Sequence, residues 1–316
     1  MAYELAIEGF SRFFAHFPTF HDVGISINAI LDKPLLMQGR LFRSGRLDGA
    51  SREHKKIIRD ELGIRTVVDL RTRAEIRDAK RRAKIRRASS TVPDRRTVPS
   101  DPLRIGGIHY EEVDLLSRSL KWRTFWRLSL DDKMKVAAAR LTGRKALARR
   151  TWAIGAYEDL RLRSIAIDIL ETSGQEIVRV LRTVTKALKS ESGTCLLADS
   201  EGRHRSGLVT ALILLLVLED TGESVKGIVE ELNVGFKAPS WARLWQRKEA
   251  TMYYDDAPEW IGDDVPEALD AIWAHLWIEH RGVANYLDGI GFHRSEQEEL
   301  FNEVTPVGTY YQHPWI

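Results

Sequence analysis

The stretch CLLADSEGRHRSGLVTALILLLVLED, residues 195–220, reads as a short strand, a tight loop and a long helix. GTCLLA (193–198) is a brief apolar run of the kind that a parallel sheet buries on both faces. The run Leu208 to Leu218 is too short to cross a bilayer and reads as a buried helix. The loop between them, ADSEGRHRSG, looks built for an anion. Successive N–H groups at such a turn form a nest, and the opening helix adds partial positive charge. Gly202 permits a left-handed or cramped backbone that can approach a ligand closely. Arg205 can offer a bidentate grip on two phosphate oxygens. Ser206 can donate toward the residue at the loop's entrance. That residue is Asp199, a carboxylate on the floor of a cradle made for oxyanions.

Working outward, SREHKKIIRDELGIRTVVDLRTRAEI (51–76) is a helix followed by a strand. Ser51 can cap the helix, Ile57, Ile58 and Leu62 form its apolar stripe, and Gly63 stops it. IRTVVDL is the strand, GIHYEEVDL (107–115) a weakly alternating second one, and helices Ser173–Leu188 and Gly207–Asp220 flank the third. Strands alternating with helices predict an α/β layered fold. The stretch 118–165 breaks the pattern. It is helical in composition, with Trp122, Phe125 and Trp126 set among many Lys and Arg, and reads as an insertion: a lid, a membrane-surface helix, a partner site, or an amphipathic helix packing its aromatics on the domain. The C-terminal part is mostly helical, with PSWARLW a turn and PEALDAIWAHLWIEHRG a clear helix.

The chain has 316 residues, 43% hydrophobic and 29% charged, enough for one large domain or two ordinary ones. A net charge of +3 is too small to imply nucleic-acid binding, and no nucleic-acid partner is expected. The charge is uneven: 80–96 and 118–150 are basic, 255–267 acidic, as either solvated faces or an attraction to an anionic substrate or membrane surface. Cys195 is the only cysteine, so no intrachain disulfide is possible and a cytoplasmic location fits. No signal peptide or metal-ligand spacing of His and Cys is visible, and no cofactor is expected.

The loop resembles the signature of the protein tyrosine phosphatase superfamily: His-Cys, five residues, Arg, Ser or Thr, Gly. Gly202, Arg205, Ser206 and Gly207 fall in place. With FRSGRLD (42–48), LGIRTVVDLRTRAE (62–75) and RGVANYLDGIGFHRSEQEEL (281–300), the chain is similar in order to the tyrosine/serine phosphatases of bacteria and fungi. The Trp- and Arg-rich insertion resembles the fungal branch. The resemblance implies a phosphatase-like fold over 1–316, a small and mostly parallel sheet flanked by helices, with 118–165 inserted. It also implies a phosphorylated or anionic substrate held by Arg43, Ser200, Glu201, Gly202, Arg203, Ser206 and Gly207.

Departures from the pattern carry most of the functional meaning. The family's cysteine position is Asp199 and the preceding histidine is Ala198. Its usual Gly-Lys-Asp-Arg reads Gly202-Arg203-His204-Arg205. Thiolate chemistry is therefore absent, and Cys195, inside the strand, is expected to be a buried, inert thiol. Asp199 either disables the site, repelling phosphate, or attacks phosphorus itself with Mg²⁺ help from Glu201 and Asp69. Asp69 is an acid or orienter, or is tied to Arg43 or Arg71. Arg43 and Ser44 line the pocket or bridge strand and helix. His204 is a general acid near neutral pH or an exposed loop residue.

Overall fold

A computed structural model of the chain describes residues 17, 19–88, 103–144, 147–148, 151–152, 162–190, 193–200, 202, 204–221, 228 and 265–307. Among the described residues five strands form one sheet in the order β1-β2-β5-β3-β4. They are β1 (His21–Asp22), β2 (Leu41–Ser44), β3 (Thr66–Asp69), β4 (His109–Glu112) and β5 (Cys195–Ala198). Only β1 runs antiparallel, against β2; the other pairs are parallel. The expected strands in 64–70, 107–115 and 193–198 are all present. Strands β1 and β2 are additional: one has two residues, the other carries a buried arginine, and neither shows the apolar run that marks a strand in sequence.

The helices are α1 (Val23–Leu31), α2 (Arg52–Lys56, continuing as a π turn over Ile57–Glu61), α3 (Arg73–Ala88), α4 (Arg118–Arg127) and α5 (Leu130–Leu141). After them come α6 (Leu162–Thr172), α7 (Gly174–Leu188), α8 (Arg205–Thr221), α9 (Val265–His280), α10 (Val283–Gly289) and α11 (Arg294–Val304). Ser51 caps α2 by accepting from His54 N, and Gly63 takes φ +65° where the π turn ends. PSWARLW and the acidic stretch 255–264 lie outside the described residues.

Side-chain alternation along the strands builds two apolar layers. Leu41, Val68, Cys195 and Leu197 face the larger cluster, with Ile177, Leu181 and Val184 of α7 and the whole run from Leu208 to Leu218 of α8. Phe42, Val67, Leu196 and Ala198 face a second cluster with Ile58, Ile64 and Ile105. The three central strands are thus buried on both faces, as the apolar GTCLLA run requires. Among the described residues no helix is long and apolar enough to cross a membrane.

Register places the site. Ser44, Ala198 and Asp69 are adjacent across β2, β5 and β3, at the carboxyl ends of three parallel strands. The loop leaving Ala198 therefore emerges between the loops that follow β2 and β3, where open α/β sheets hold their ligands.

Candidate functional site

The loop closes around a single point, and that point is the Asp199 carboxylate. Asp199 N donates to Ser44 O at 3.3 Å, tying the loop's first residue to β2. Its side chain then turns inward and is only 1% exposed. Oδ2 accepts from Arg205 N at 3.0 Å, Ser206 N at 3.0 Å and Ser206 Oγ at 3.1 Å. Oδ1 accepts from Gly202 N. Three backbone donors and one hydroxyl, the set that would surround an oxyanion, surround a residue of the chain itself.

Burial works against ionising Asp199. The charge of Arg205, the N–H groups of Ser206 and Gly202 and the nearby His204 outweigh it and hold the carboxyl below its ordinary value.

Gly202 makes the wrap possible. It sits at φ +71°, and its carbonyl accepts from Thr19 Oγ1 at 3.1 Å. A β-carbon there would collide with that hydroxyl and lie 2.6 Å from the carbonyl carbon of Ser44. Thr19 is itself at φ +59°, an outlier for a β-branched residue, so the segment before β1 is held in strain against the loop.

The guanidinium of Arg205 is bound within the protein. Nη1 and Nη2 meet Glu75 Oε2 and Oε1 at 2.8 and 2.7 Å, and Nη1 also donates to Leu70 O at 3.0 Å. Ser200 Oγ donates to Glu75 Oε1 at 2.6 Å. Glu75 in turn completes a capping box at the start of α3. Its Oε2 accepts from Thr72 N at 2.6 Å, while its own N–H donates to Thr72 Oγ1 at 3.1 Å. Burial opposes the charge on Glu75, but Arg205, with hydrogen bonds from Ser200 and Thr72, holds the carboxyl far below the usual range. Arg205 thus serves two carboxylates, one by direct pairing and one by its field.

The other expected residues take these places. Asp69 ends β3 and is locked to Arg71, whose Nε and Nη2 donate at 2.9 and 2.7 Å; Arg71 Nη1 holds Asp48 at 2.9 Å. Of the two partners considered from sequence, Arg71 is the one with a described bond to Asp69. Arg43 is fully buried in β2 and Ser44 ends that strand, one residue before Gly45. His204 is half-buried, its carbonyl accepting from Leu208 N at 2.8 Å. Gly207 is buried in the first turn of α8. Glu201 and Arg203 lie outside the described residues. Cys195 is buried inside β5, away from the loop, and burial pushes its thiol up to about 12. Among the described residues no three His, Cys, Asp or Glu side chains gather as metal ligands do.

Sequence reading missed Glu75 and Thr19. Glu75 was detectable: Thr72-x-x-Glu75 has the spacing of a capping box, and a box that opens a helix beside the sheet's carboxyl edge points its acid at the site. Nothing local in the sequence marks Thr19, whose role comes from meeting Gly202 across a long stretch of chain.

Of the readings open for the insertion, full packing of its aromatics on the domain is the one that the structure does not bear out. Its aromatics do not all pack on the domain: Phe125 is half-buried beside Leu128, Val136, Ala139 and Ala148, whereas Trp122 and Trp126 are exposed. Residues 145–146, 149–150 and 153–161 of it lie outside the described residues.

A model of the family described as "Tyrosine phosphatase family" matches residues 20–305, which takes in every strand and the whole loop. No curated protein matches the chain.

Proposed function

The chain belongs to the tyrosine phosphatase family, and from that premise we propose that it is a degenerate member, of the fungal type, with little or no phosphatase activity. The substrate class that goes with the family is phosphorylated groups. We read the chain as one such domain over 1–316, cytoplasmic, with 118–165 as its helical insertion.

The observation that carries the reading is the occupation of the nest by Asp199. A phosphate entering the loop would have to displace a carboxylate that already holds four donors, or stand beside it. At an effective dielectric of about 20, two unit charges about 4 Å apart repel by about 4 kcal/mol. That is roughly a thousandfold in affinity. Arg205 offsets little of this, because Glu75 already takes the guanidinium edge that would grip phosphate oxygens. The nucleophile is missing as well: Asp199 replaces sulfur in the loop, and the Cys195 thiol stays protonated in the core near neutral pH.

The other reading makes Asp199 a nucleophile that forms an acyl-phosphate, assisted by Mg²⁺, with Asp69 and His204 helping. Its Oδ2, with three donors aimed at it, is a poor attacking atom, and Asp69 is engaged by Arg71. Turnover of an aryl phosphate with and without Mg²⁺, in the natural chain and in Asp199→Ala, separates the two. The degenerate reading expects background rates in all four conditions. Metal-dependent turnover that disappears in Asp199→Ala would overturn it in favour of the nucleophile.

A further inference from the structure

The insertion carries a surface that the loop does not use. Helix α5 packs Val136 and Ala139 inward, where they meet Leu128, Ala148, half-buried Phe125 and Trp152 in a small core of their own. The opposite side of α5 is also apolar. Leu130, Met134 and Leu141 project from it, with exposed Ala137 and Ala138 on the same stripe. On α4, Trp122 and Trp126 stand edge to face, their ring centres 5.3 Å apart. These five large side chains are 57–89% exposed, and Lys133, beside the α5 stripe, joins the two helices' surfaces by donating to Trp126 O at 2.9 Å.

Ion pairs tie α4 to the domain, and cations flank the patch. Arg127 bonds buried Asp168 of α6 at 2.5 Å, and Arg123 reaches Asp168 and Glu171, which pins α4 to the domain. Of the eight Lys and Arg between residues 118 and 144, Lys121, Arg123 and Arg127 pair with Asp114, Asp168 and Glu171, and Lys135 with Asp131 and Asp132. Lys133 lies over the Trp126 ring at 5.2 Å. On the helical wheel Lys133 and Arg140 flank the apolar stripe on one side, and Arg144 follows just past the end of α5.

We propose that this face of α4 and α5 docks on an anionic lipid bilayer. Indole rings and aliphatic tips enter the boundary between headgroups and acyl chains, and the Lys and Arg rim stays level with the lipid phosphates and carboxylates. Charge complementarity selects this occupant. A second copy meeting the same face isologously would bring two strongly basic rims together. A nucleic acid would satisfy the rim and the rings but leave Leu130, Met134 and Leu141 in water. A bilayer with acidic headgroups takes both components at once.

The test is co-sedimentation of the full chain with vesicles of phosphatidylcholine alone and of phosphatidylcholine doped with phosphatidylserine. Binding is expected to the doped vesicles and to fall with added salt. Trp122→Ala with Trp126→Ala is expected to weaken it about tenfold or more, and Arg140→Glu with Arg144→Glu to remove its dependence on phosphatidylserine. Circular dichroism checks each variant's fold; should the tryptophan pair misfold, Leu141→Glu at the exposed end of α5 reports on the same face. No binding by the natural chain, or binding that the folded variants leave unchanged, overturns the proposal. So does self-association without vesicles that these variants abolish, which would identify a second copy as the occupant.

Discussion

Replacing Asp199 by asparagine keeps the shape of the side chain and removes its charge, so it isolates the electrostatic part of the self-occupied loop. Oδ2 accepts three bonds and Oδ1 one. The best amide orientation keeps the carbonyl toward Arg205 N and Ser206, and then turns the NH₂ group against Gly202 N–H. Donor faces donor, and an orphaned buried N–H costs about 1–3 kcal/mol. The three surviving bonds lose their charge assistance, about 1 kcal/mol each. Relief from burying a charge returns part of the sum, leaving a net destabilisation of about 3 kcal/mol. That is about two orders of magnitude in the folding equilibrium. Urea unfolding followed by circular dichroism reads it as a lower midpoint at unchanged slope.

Acidification then checks the cause. The folded carboxyl lies below its unfolded value, so the stability it supplies is full above about pH 4 and is lost as pH falls through the folded value. The gap between natural chain and variant should therefore narrow below about pH 4. An asparagine variant as stable as the natural chain at neutral pH, or a gap that does not narrow in acid, would refute the reasoning.

Three further outcomes are expected. Glu75→Gln should destabilise by about 3 kcal/mol in urea, because Arg205 loses its charged partner in a mostly buried pair; a neutral result would mean the pair is not holding the loop. Gly202→Ala should cost more than about 2 kcal/mol, through φ +71° and the collision with Thr19, and a Thr19→Gly partner should return part of that loss. Asp199→Cys should place a thiolate among the same three N–H donors and give aryl-phosphate turnover that alkylation abolishes; silence from a folded variant would show that the pocket has moved beyond phosphate chemistry.

Much of the fold was legible because its strongest signals are local. The apolar run in GTCLLA, the cap at Ser51 and the uniform apolarity of Leu208–Leu218 each report an element without help from the rest of the chain. Strand β2 was not legible: LFRS has no apolar run, and its Arg43 is buried only once a parallel neighbour on β5 encloses it. At the site, the anion nest could be inferred from Gly202, Arg205 and Ser206, and Asp199 from its position in the loop. What fills the nest and what holds Arg205 depend on distant partners. Glu75 reaches Arg205 because β3 and β5 are neighbours in space, although 130 residues separate the two in sequence. The insertion was ambiguous for a physical reason: mixing Trp with Arg is compatible with packing inward or facing out, and the position of Asp168 on α6 decides which side of α4 is anchored.

Titration of inorganic phosphate into the natural chain and into Asp199→Ala by isothermal calorimetry reaches the central claim with least intervening inference. If the loop is closed by its own carboxylate, the natural chain shows no heat of binding, and the alanine variant, with its N–H donors exposed, binds about a thousandfold more tightly than the natural chain can. Phosphate binding to the natural chain with an affinity equal to that of the variant would contradict it.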